Sequence, residues 1–223
     1  MNGPDARVGR RAVLASTGTL LGASLAGCLG SGNGNGSDGD DGGRPEPEKQ
    51  LPTPVDGDPD APVTVAAFED FACPHCATYS LDVVPRIREE YVATERIRYE
   101  WHDFPIPVDG TQSWLAADAA RAVQANSDAI EDFWAFAHRL FERQSDLGLD
   151  RYERMATEMG LDGAAIRTET DERTYEPTVV ASQATGEERG VSATPTVFVN
   201  DEQLEAPSYA DLSGAIDAAL ENA

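Results

Sequence analysis

The chain is 223 residues long, which suits one ordinary domain with additional segments, and it carries 40 acidic against 17 basic residues. A net charge of −23 disfavours nucleic acid and anionic membrane surfaces as partners, because phosphate groups need positive groups to neutralise them. Lys49 is the single lysine. Such a surface is typical of proteins adapted to high salt, where counter-ions screen the self-repulsion, although it can also steer cationic partners.

The N-terminus predicts an export signal and a lipid anchor. Arg10-Arg11 precedes an uncharged run over residues 12–36 that is rich in small residues and too weakly apolar for a typical membrane-spanning helix. The tetrapeptide Leu-Ala-Gly-Cys ending at Cys28 resembles a lipoprotein box. Residues 1–27 are therefore expected to be a twin-arginine-type signal, and a lipidated Cys28 is expected to hold the chain at the outer face of the cytoplasmic membrane. An uncleaved anchor helix is the alternative.

Residues 28–61 predict a disordered tether. Glycine, serine and asparagine alternate first, an acidic run follows, and a proline-rich piece ends the segment. No core can form from this composition. About 30 such residues have an r.m.s. reach of roughly 30 Å, so the folded part could search a thin shell above the membrane.

Periodicity predicts the elements that follow. A nearly continuous apolar run over residues 62–68 indicates a buried strand, residues 77–91 indicate a helix kinked at Pro85, and alternation over residues 96–101 indicates a second strand. Residues 113–189 predict a block of helices with an apolar stripe of helical period from Ile130 to Phe141. Gly190 is expected to end this block.

The C-terminal part predicts a hairpin and a helix. Residues 194–200 return to strand and Asn200-Asp201 provides a turn. Ser208 is expected to open the last helix, with Asp211 as its capping-box partner. The order βαβ, helical block, ββα implies a parallel first strand pair with a right-handed crossover.

The motif Cys73-Pro74-His75-Cys76 carries the chemistry. Two thiols three positions apart at a helix start can form a readily exchanged disulfide, and the only other cysteine, Cys28, lies in the predicted signal. The pKa of Cys73 should be lowered, because unpaired backbone N–H groups and the helix dipole stabilise its thiolate. Pro74 fixes φ at the first helical position, and a protonated His75 would add positive charge near the sulfur.

A zinc site and a purely structural disulfide are the other interpretations of the cysteine pair. A structural zinc site needs four ligands, and the three histidines, His75, His102 and His138, lie in separate elements. A purely structural disulfide would close a very small loop and gain little entropy. His102 and Asp103 follow the second strand and are expected to be ordinary polar groups at its end, with a place beside the active-site groove as the alternative. His138 is expected to be a boundary residue of the apolar stripe. We expect no metal and no cofactor beyond the disulfide of the motif.

Two motifs together make the chain resemble the thioredoxin-fold thiol-disulfide oxidoreductases of the DsbA type. They are Phe71-x-Cys-Pro-His-Cys after the first strand and Gly-Val-Ser-Ala-Thr194-Pro195-Thr before a later one, with a Phe-Trp pair ending at Trp134 in the helical block. The resemblance covers roughly residues 60–221. It implies an α/β thioredoxin-like core built from residues 62–110 and 190–223, with a helical domain inserted at residues 111–189. It also implies a cis Pro195 opposite the cysteines, which exposes the Thr194 backbone to substrate.

The resemblance further implies disulfide exchange on exported proteins, with disulfide formation as the expected direction. A substrate thiolate would attack Cys73, Cys76 would leave, and a second substrate thiolate would resolve the mixed disulfide. A membrane or small-molecule electron acceptor would then re-oxidise the pair. A reductase or isomerase of the same fold, and a non-catalytic lipoprotein that binds client proteins, are the alternatives.

One position departs from the family pattern. Thioredoxin-like folds often carry a buried acid six residues before the first cysteine, and Ala67 occupies that position here. Proton transfer to Cys76 is therefore expected to rely on Glu69, Asp70 or water, and strand alternation alone does not choose among them.

Overall fold

The computed structural model describes residues 50–223; the predictions made for residues 1–49, including the signal, Cys28 and most of the tether, lie outside it. In the described part the strands are β1 Val55–Gly57, β2 Val63–Glu69, β3 Ile97–Asp103, β4 Thr196–Val199 and β5 Glu202–Glu205. They form a five-stranded sheet in the order β1-β3-β2-β4-β5. β2 and β3 are parallel, as predicted, and the other neighbours are antiparallel.

The central strand, β2, positions the redox motif. It is buried along nearly its whole length, as its apolar run predicts, between β3 and β4. Its last residue, Glu69, lies opposite Asp103, the last residue of β3. Because the carboxyl ends of parallel strands meet at one edge of a sheet, the cysteine motif after β2 and the loop after β3 are neighbours there.

The helix after the motif is less regular than predicted. It consists of α1 Pro74–Thr78 and α2 Val84–Ile87, with π-helical turns at Tyr79–Val83 and Arg88–Val92. Pro85 lies in the first turn of α2, directly after the first π-helical turn. Proline lacks the N–H that would form an i→i−4 hydrogen bond. The wider π-helical turn before Pro85 accommodates this loss, whereas the sequence predicted a simple kink.

The chain between β3 and β4 forms the helical insertion. Its elements are α3 Gln112–Asn126, α4 Ile130–Glu142, a 3₁₀ turn Gln144–Asp146, α5 Leu149–Glu158, α6 Gly163–Asp171 and α7 Glu176–Glu188. The predicted stripe of α4 is buried from Phe133 to Phe141, whereas Ile130 at its start remains 36% exposed. Gly190 has φ +82°, a conformation that side chains disfavour, and ends α7 as predicted.

The C-terminal elements follow the predicted local signals. β4 and β5 pair through a turn in which Asn200 adopts φ +52°, a conformation that asparagine tolerates. The last helix is α8 Tyr209–Glu221. Ser208 and Asp211 form the predicted capping box at its start.

Residues 50–61 correct the predicted limit of the tether. Val55 lies opposite Glu100, and the whole of β1 pairs with β3. The backbone N–H of Trp101 also donates to Pro54 O at 3.0 Å, and Ala61 is buried. A short edge strand pairs through backbone groups and needs few apolar residues, so composition gave no sign of it.

The end of β3 is a second correction. His102 and Asp103 belong to the strand and are buried, whereas ordinary polar groups after the strand were expected. Asp103 Oδ2 accepts from Arg121 Nε at 2.7 Å, and its Oδ1 accepts from Trp101 Nε1 at 2.8 Å. The His102 ring stacks on Phe68 at 4.5 Å between centroids. The buried ion pair between Asp103 and Arg121 joins the sheet to α3 of the insertion.

Candidate active site

The turn that carries Cys73 is anchored to the core from both sides. Phe71, two residues earlier, stacks on Trp101 at 4.7 Å and contacts Phe141 at 5.1 Å between ring centroids. Cys73 N donates to Asp70 O at 3.0 Å. Cys73 then takes the N-cap position of α1 in an extended conformation, with Pro74 in the first turn. The first sulfur therefore lies at a helix N-terminus, as predicted.

The surroundings of Cys73 favour its thiolate. They lower its pKa from 9.0 to about 5, first through a hydrogen bond with the Cys76 side chain, then through Thr194 and the backbone N–H groups of Cys76 and His75. Burial opposes this effect without overcoming it. At neutral pH the first sulfur is therefore ready to act as a nucleophile or to depart as a stable anion.

The pKa of Cys76 is shifted upwards, opposite to that of Cys73. Cys76 is fully buried, and burial is the largest cause that raises its pKa well above 9.0, followed by the hydrogen bond with Cys73 and the charge of Glu69. The backbone N–H of Asp70 lies 3.4 Å from its sulfur and partly offsets this. Both cysteines are free thiols in this structure. Two thiols whose environments drive their pKa values apart suit one nucleophile and one resolving group.

The loop before β4 lies against the nucleophile. The Thr194–Pro195 peptide bond is cis, as the resemblance implied. The Cys73 thiol donates a hydrogen bond to the Thr194 carbonyl oxygen, and the sulfur lies 3.5 Å from that oxygen. The Thr194 hydroxyl is buried and has no other hydrogen-bond partner within residues 50–223, so it is available to the Cys73 thiolate, whose pKa it helps to lower. The predicted substrate-binding residues and the predicted nucleophile therefore come together.

His75 contributes to the site through its backbone. Its N–H is one of the groups that lower the pKa of Cys73. Its side chain is exposed, beside the exposed Pro74. Among the residues described here, the imidazole makes no hydrogen bond to the protein. A protonated His75 as a charge partner of Cys73 stays a prediction.

Glu69 is the acid that faces the buried thiol. It lies two residues after Ala67 in β2, so its side chain shares the core face on which the family often places an acid. Its carboxylate accepts from Ser80 Oγ and, at 3.5 Å, from the Tyr99 hydroxyl. Burial raises its pKa to about 8, against the lowering effect of these two bonds. A group with this pKa can release and take up a proton near neutral pH.

Asp70 has a structural part instead. Its Oδ1 accepts from Ala72 N at 2.8 Å and its Oδ2 from Ile106 N at 2.9 Å. These bonds connect the redox turn, which is residues 70–73, to the loop after β3. Its pKa is raised, mainly by burial. Because backbone N–H groups occupy both oxygens, Asp70 is poorly placed to carry protons for Cys76.

Sequence reasoning missed the surroundings of Glu69. Ser80 stands four residues after Cys76, and that helical spacing could have indicated it. A cavity of about 30 Å³ lies behind the carboxylate, lined by Glu69, Tyr99, Trp134 and His138 among others. This volume admits water. A groove of about 540 Å³ shares its Trp134 and His138 walls, so the cavity lies next to the protein surface.

Residues 50–223 hold neither a metal-binding cluster nor a helix that could span a membrane. No three side chains of histidine, cysteine, aspartate or glutamate converge there to hold a metal ion. Every helix in this part of the chain is too short or too polar to cross a bilayer.

A pair of thiols with separated pKa values, on a sheet interrupted by a helical insertion, defines a thiol-disulfide oxidoreductase. Comparison with known proteins agrees. The family model described as thioredoxin matches residues 49–218, and the chain belongs to that family. The predicted fold, a thioredoxin-like α/β fold with an inserted helical domain, is confirmed, as are the DsbA-type resemblance and the enzyme class.

Particular relatives cover most of the folded part. Disulfide bond formation protein D of Bacillus subtilis is 28% identical over 161 residues, which is 70% of each chain. The crystal structure of oxidised BdbD from Bacillus subtilis has a TM-score of 0.70 and 26% identity, and covers 76% of this chain and 93% of that one. Wolbachia pipientis α-DsbA1 has a TM-score of 0.68 over 77% and 93% of the two chains; at 20% identity it supports the fold alone.

Proposed function

We propose that the chain forms disulfide bonds in exported proteins, through Cys73 as the exchanging thiol and Cys76 as its partner. The observation that carries this proposal is that Cys73 lies at the start of α1 with its sulfur 3.5 Å from the Thr194 carbonyl oxygen, in surroundings that lower its pKa to about 5. A stable thiolate favours the reduced form of the pair, so the disulfide form accepts electrons more readily. The printed name of the relative from Bacillus subtilis, a disulfide bond formation protein, supports the same direction.

The reaction begins with the oxidised pair. A substrate thiolate attacks Cys73 Sγ, a mixed disulfide forms, and the bond to Cys76 breaks. Cys76 leaves as a thiolate and takes up a proton, because its pKa lies well above 9.0. A second substrate thiolate then attacks the substrate sulfur of the mixed disulfide and releases Cys73 as its stable thiolate. The substrate gains one disulfide, and the enzyme keeps the two electrons.

Glu69 supplies and removes the proton of Cys76. With a pKa of about 8 it is mostly protonated at neutral pH, so it can donate to the departing thiolate. When the pair is re-oxidised, an ionised Glu69 accepts the proton back. The cavity behind its carboxylate gives that proton an exit to the groove beside Trp134.

Thr194 holds the substrate chain beside the sulfur. Its carbonyl oxygen, 3.5 Å from Cys73 Sγ, can accept from a backbone N–H of an extended substrate segment. Pairing of this kind reads the backbone rather than the side chains. It therefore suits an enzyme that must act on many unfolded exported proteins.

The site works outside the cytoplasm, at the membrane. The twin arginine and the cysteine at position 28 support export and lipid anchoring, and an exported location permits disulfides. A membrane-bound or small-molecule electron acceptor re-oxidises the pair. We assign no metal and no further cofactor to the reaction.

The test is a trap for client proteins. In Cys76→Ser the Cys73 thiolate attacks a client disulfide, which is the reverse of the release step and frees one client thiolate. No Cys76 thiolate is then present to displace the client, so clients should accumulate as mixed disulfides on Cys73 in cells that export the protein. Cys73→Ser is the matched control and should capture none. In parallel, the purified oxidised enzyme in high salt should introduce disulfides into a reduced, unfolded protein. Absence of adducts with Cys76→Ser, together with no oxidation in vitro, would contradict the proposal.

A further inference from the structure

Gln144 links the helical insertion to the redox turn. It opens the 3₁₀ turn between α4 and α5 and is half-buried. Its Nε2 lies 2.8 Å from Phe71 O and 2.8 Å from Cys73 O. Both partners are carbonyl oxygens, which only accept hydrogen bonds, so the side-chain amide must present its NH₂ group to the turn.

One of the two carbonyls belongs to the peptide between Phe71 and Ala72, and the other belongs to the peptide between Cys73 and Pro74. They therefore flank the peptide that joins Ala72 to Cys73. The Cys73 carbonyl also accepts from Ala77 N at 3.1 Å, which is the first hydrogen bond of the helix. Gln144 therefore fixes both the peptide before Ala72 and the peptide between Cys73 and Pro74. These planes decide whether the sulfur stays beside the N–H groups of the helix start.

Two other anchors of the turn, the Asp70 side chain and the Phe71 ring, act at different groups. Asp70 holds the N–H of Ala72, and Phe71 is held by ring packing. Neither group touches the Cys73 carbonyl. One planar amide with two short bonds restrains that carbonyl more closely than ring packing can, because hydrogen bonds weaken steeply with angle.

We propose that Gln144 is a positioning residue of the exchange reaction, whose amide holds the Cys73 backbone so that the sulfur stays at the N–H groups that stabilise its thiolate. This inference rests on the proposed function of the cysteine pair. It makes the insertion part of the redox machinery, because a segment some seventy residues away in sequence sets the anion stability of the nucleophile.

The test replaces the amide without shortening the side chain. Gln144→Met keeps the length and removes both donors. Thiolate absorbance of the reduced protein is followed against pH in high salt, together with the rate of alkylation. The midpoint of Cys73 should rise by about one pH unit, which corresponds to about tenfold weaker stabilisation of the thiolate. The exchange equilibrium with glutathione should shift about tenfold towards the disulfide form.

Gln124→Met is the matched control. Gln124 also belongs to the insertion and donates from Nε2 to a loop carbonyl, Pro52 O, at 2.9 Å, away from the cysteines. This variant should titrate like the unaltered protein. If Gln144→Met fails to fold, Gln144→Asn, which is one methylene too short to span both carbonyls, should raise the midpoint in the same direction.

The outcomes separate this inference from the proposed function. A lowered thermal midpoint in Gln144→Met with an unchanged Cys73 titration would show a merely structural bond and overturn the inference alone. An ordinary thiol titration in the unaltered protein would instead remove the basis of the proposed function.

Discussion

The exchange equilibrium of the cysteine pair should depend on pH in a way that an ordinary dithiol does not show. Because the pKa of Cys73 is lowered to about 5 and that of Cys76 is raised above 9.0, reduction takes up one proton rather than two between about pH 5 and 9. For a two-electron couple, one proton gives about 30 mV per pH unit and two protons give about 60 mV.

The size of the effect follows from the same shift. A lowered pKa stabilises the folded dithiol fully above the ordinary value of 9.0, and this contribution is lost as the pH falls through about 5. At pH 7, about two units of the shift are realised, which is up to about 2.7 kcal/mol. Solvent beside the groove screens the charge and makes this an upper value. It corresponds to about 60 mV of added oxidising power.

The assay equilibrates the protein with reduced and oxidised glutathione in high salt, followed by acid quench, alkylation and mass measurement. Glutathione thiols stay protonated below about pH 8. The equilibrium constant should therefore rise about tenfold per pH unit towards the dithiol protein between about pH 5 and 8, and flatten below. A constant that is flat across that whole range would refute the reasoning, because both sulfurs would then bind protons as ordinary thiols.

Three further variants or conditions test other parts of the structure. Glu69→Gln cannot take the proton of Cys76, so re-oxidation should slow on the order of tenfold or more and lose its pH dependence near pH 8, as measured by rapid-quench alkylation; an unchanged profile would assign the proton to water. Arg121→Met leaves Asp103 buried without its partner and should lower the free energy of unfolding by about 3–5 kcal/mol in denaturant titrations, while a second change, Asp103→Leu, should restore much of it. Removal of salt should lower the melting temperature, because 40 acidic residues repel one another; a flat response up to multimolar salt would rule out halophilic adaptation.

Local chemistry made several features predictable. The N-cap position of Cys73, the capping box of Ser208 and Asp211, and the left-handed Asn200 all depend on residues within about four positions of each other. The parallel pair of β2 and β3 followed from the order of strand, helix and strand. The fold as a whole was recognisable because the two motifs occur together.

Contacts distant in sequence were not predictable. β1 pairs through its backbone, so its composition resembled the tether before it. Asp103 became a buried partner only because α3 brings Arg121 to it. No neighbouring residue indicates the role of Gln144, because that role depends on hydrogen bonds to two carbonyl groups about seventy residues away.

The sequence by itself determined that one sulfur would be stabilised as an anion, because the Cys76 side chain and the backbone N–H groups of Cys76 and His75, which lower the pKa of Cys73, belong to the same four-residue motif. Only the tertiary structure decided the state of the other sulfur and the acid that serves it. Cys76 is held as a thiol by burial, and Glu69 rather than Asp70 faces it. Burial and the occupancy of carboxylate oxygens are made by packing between elements, and no periodicity along one strand contains them.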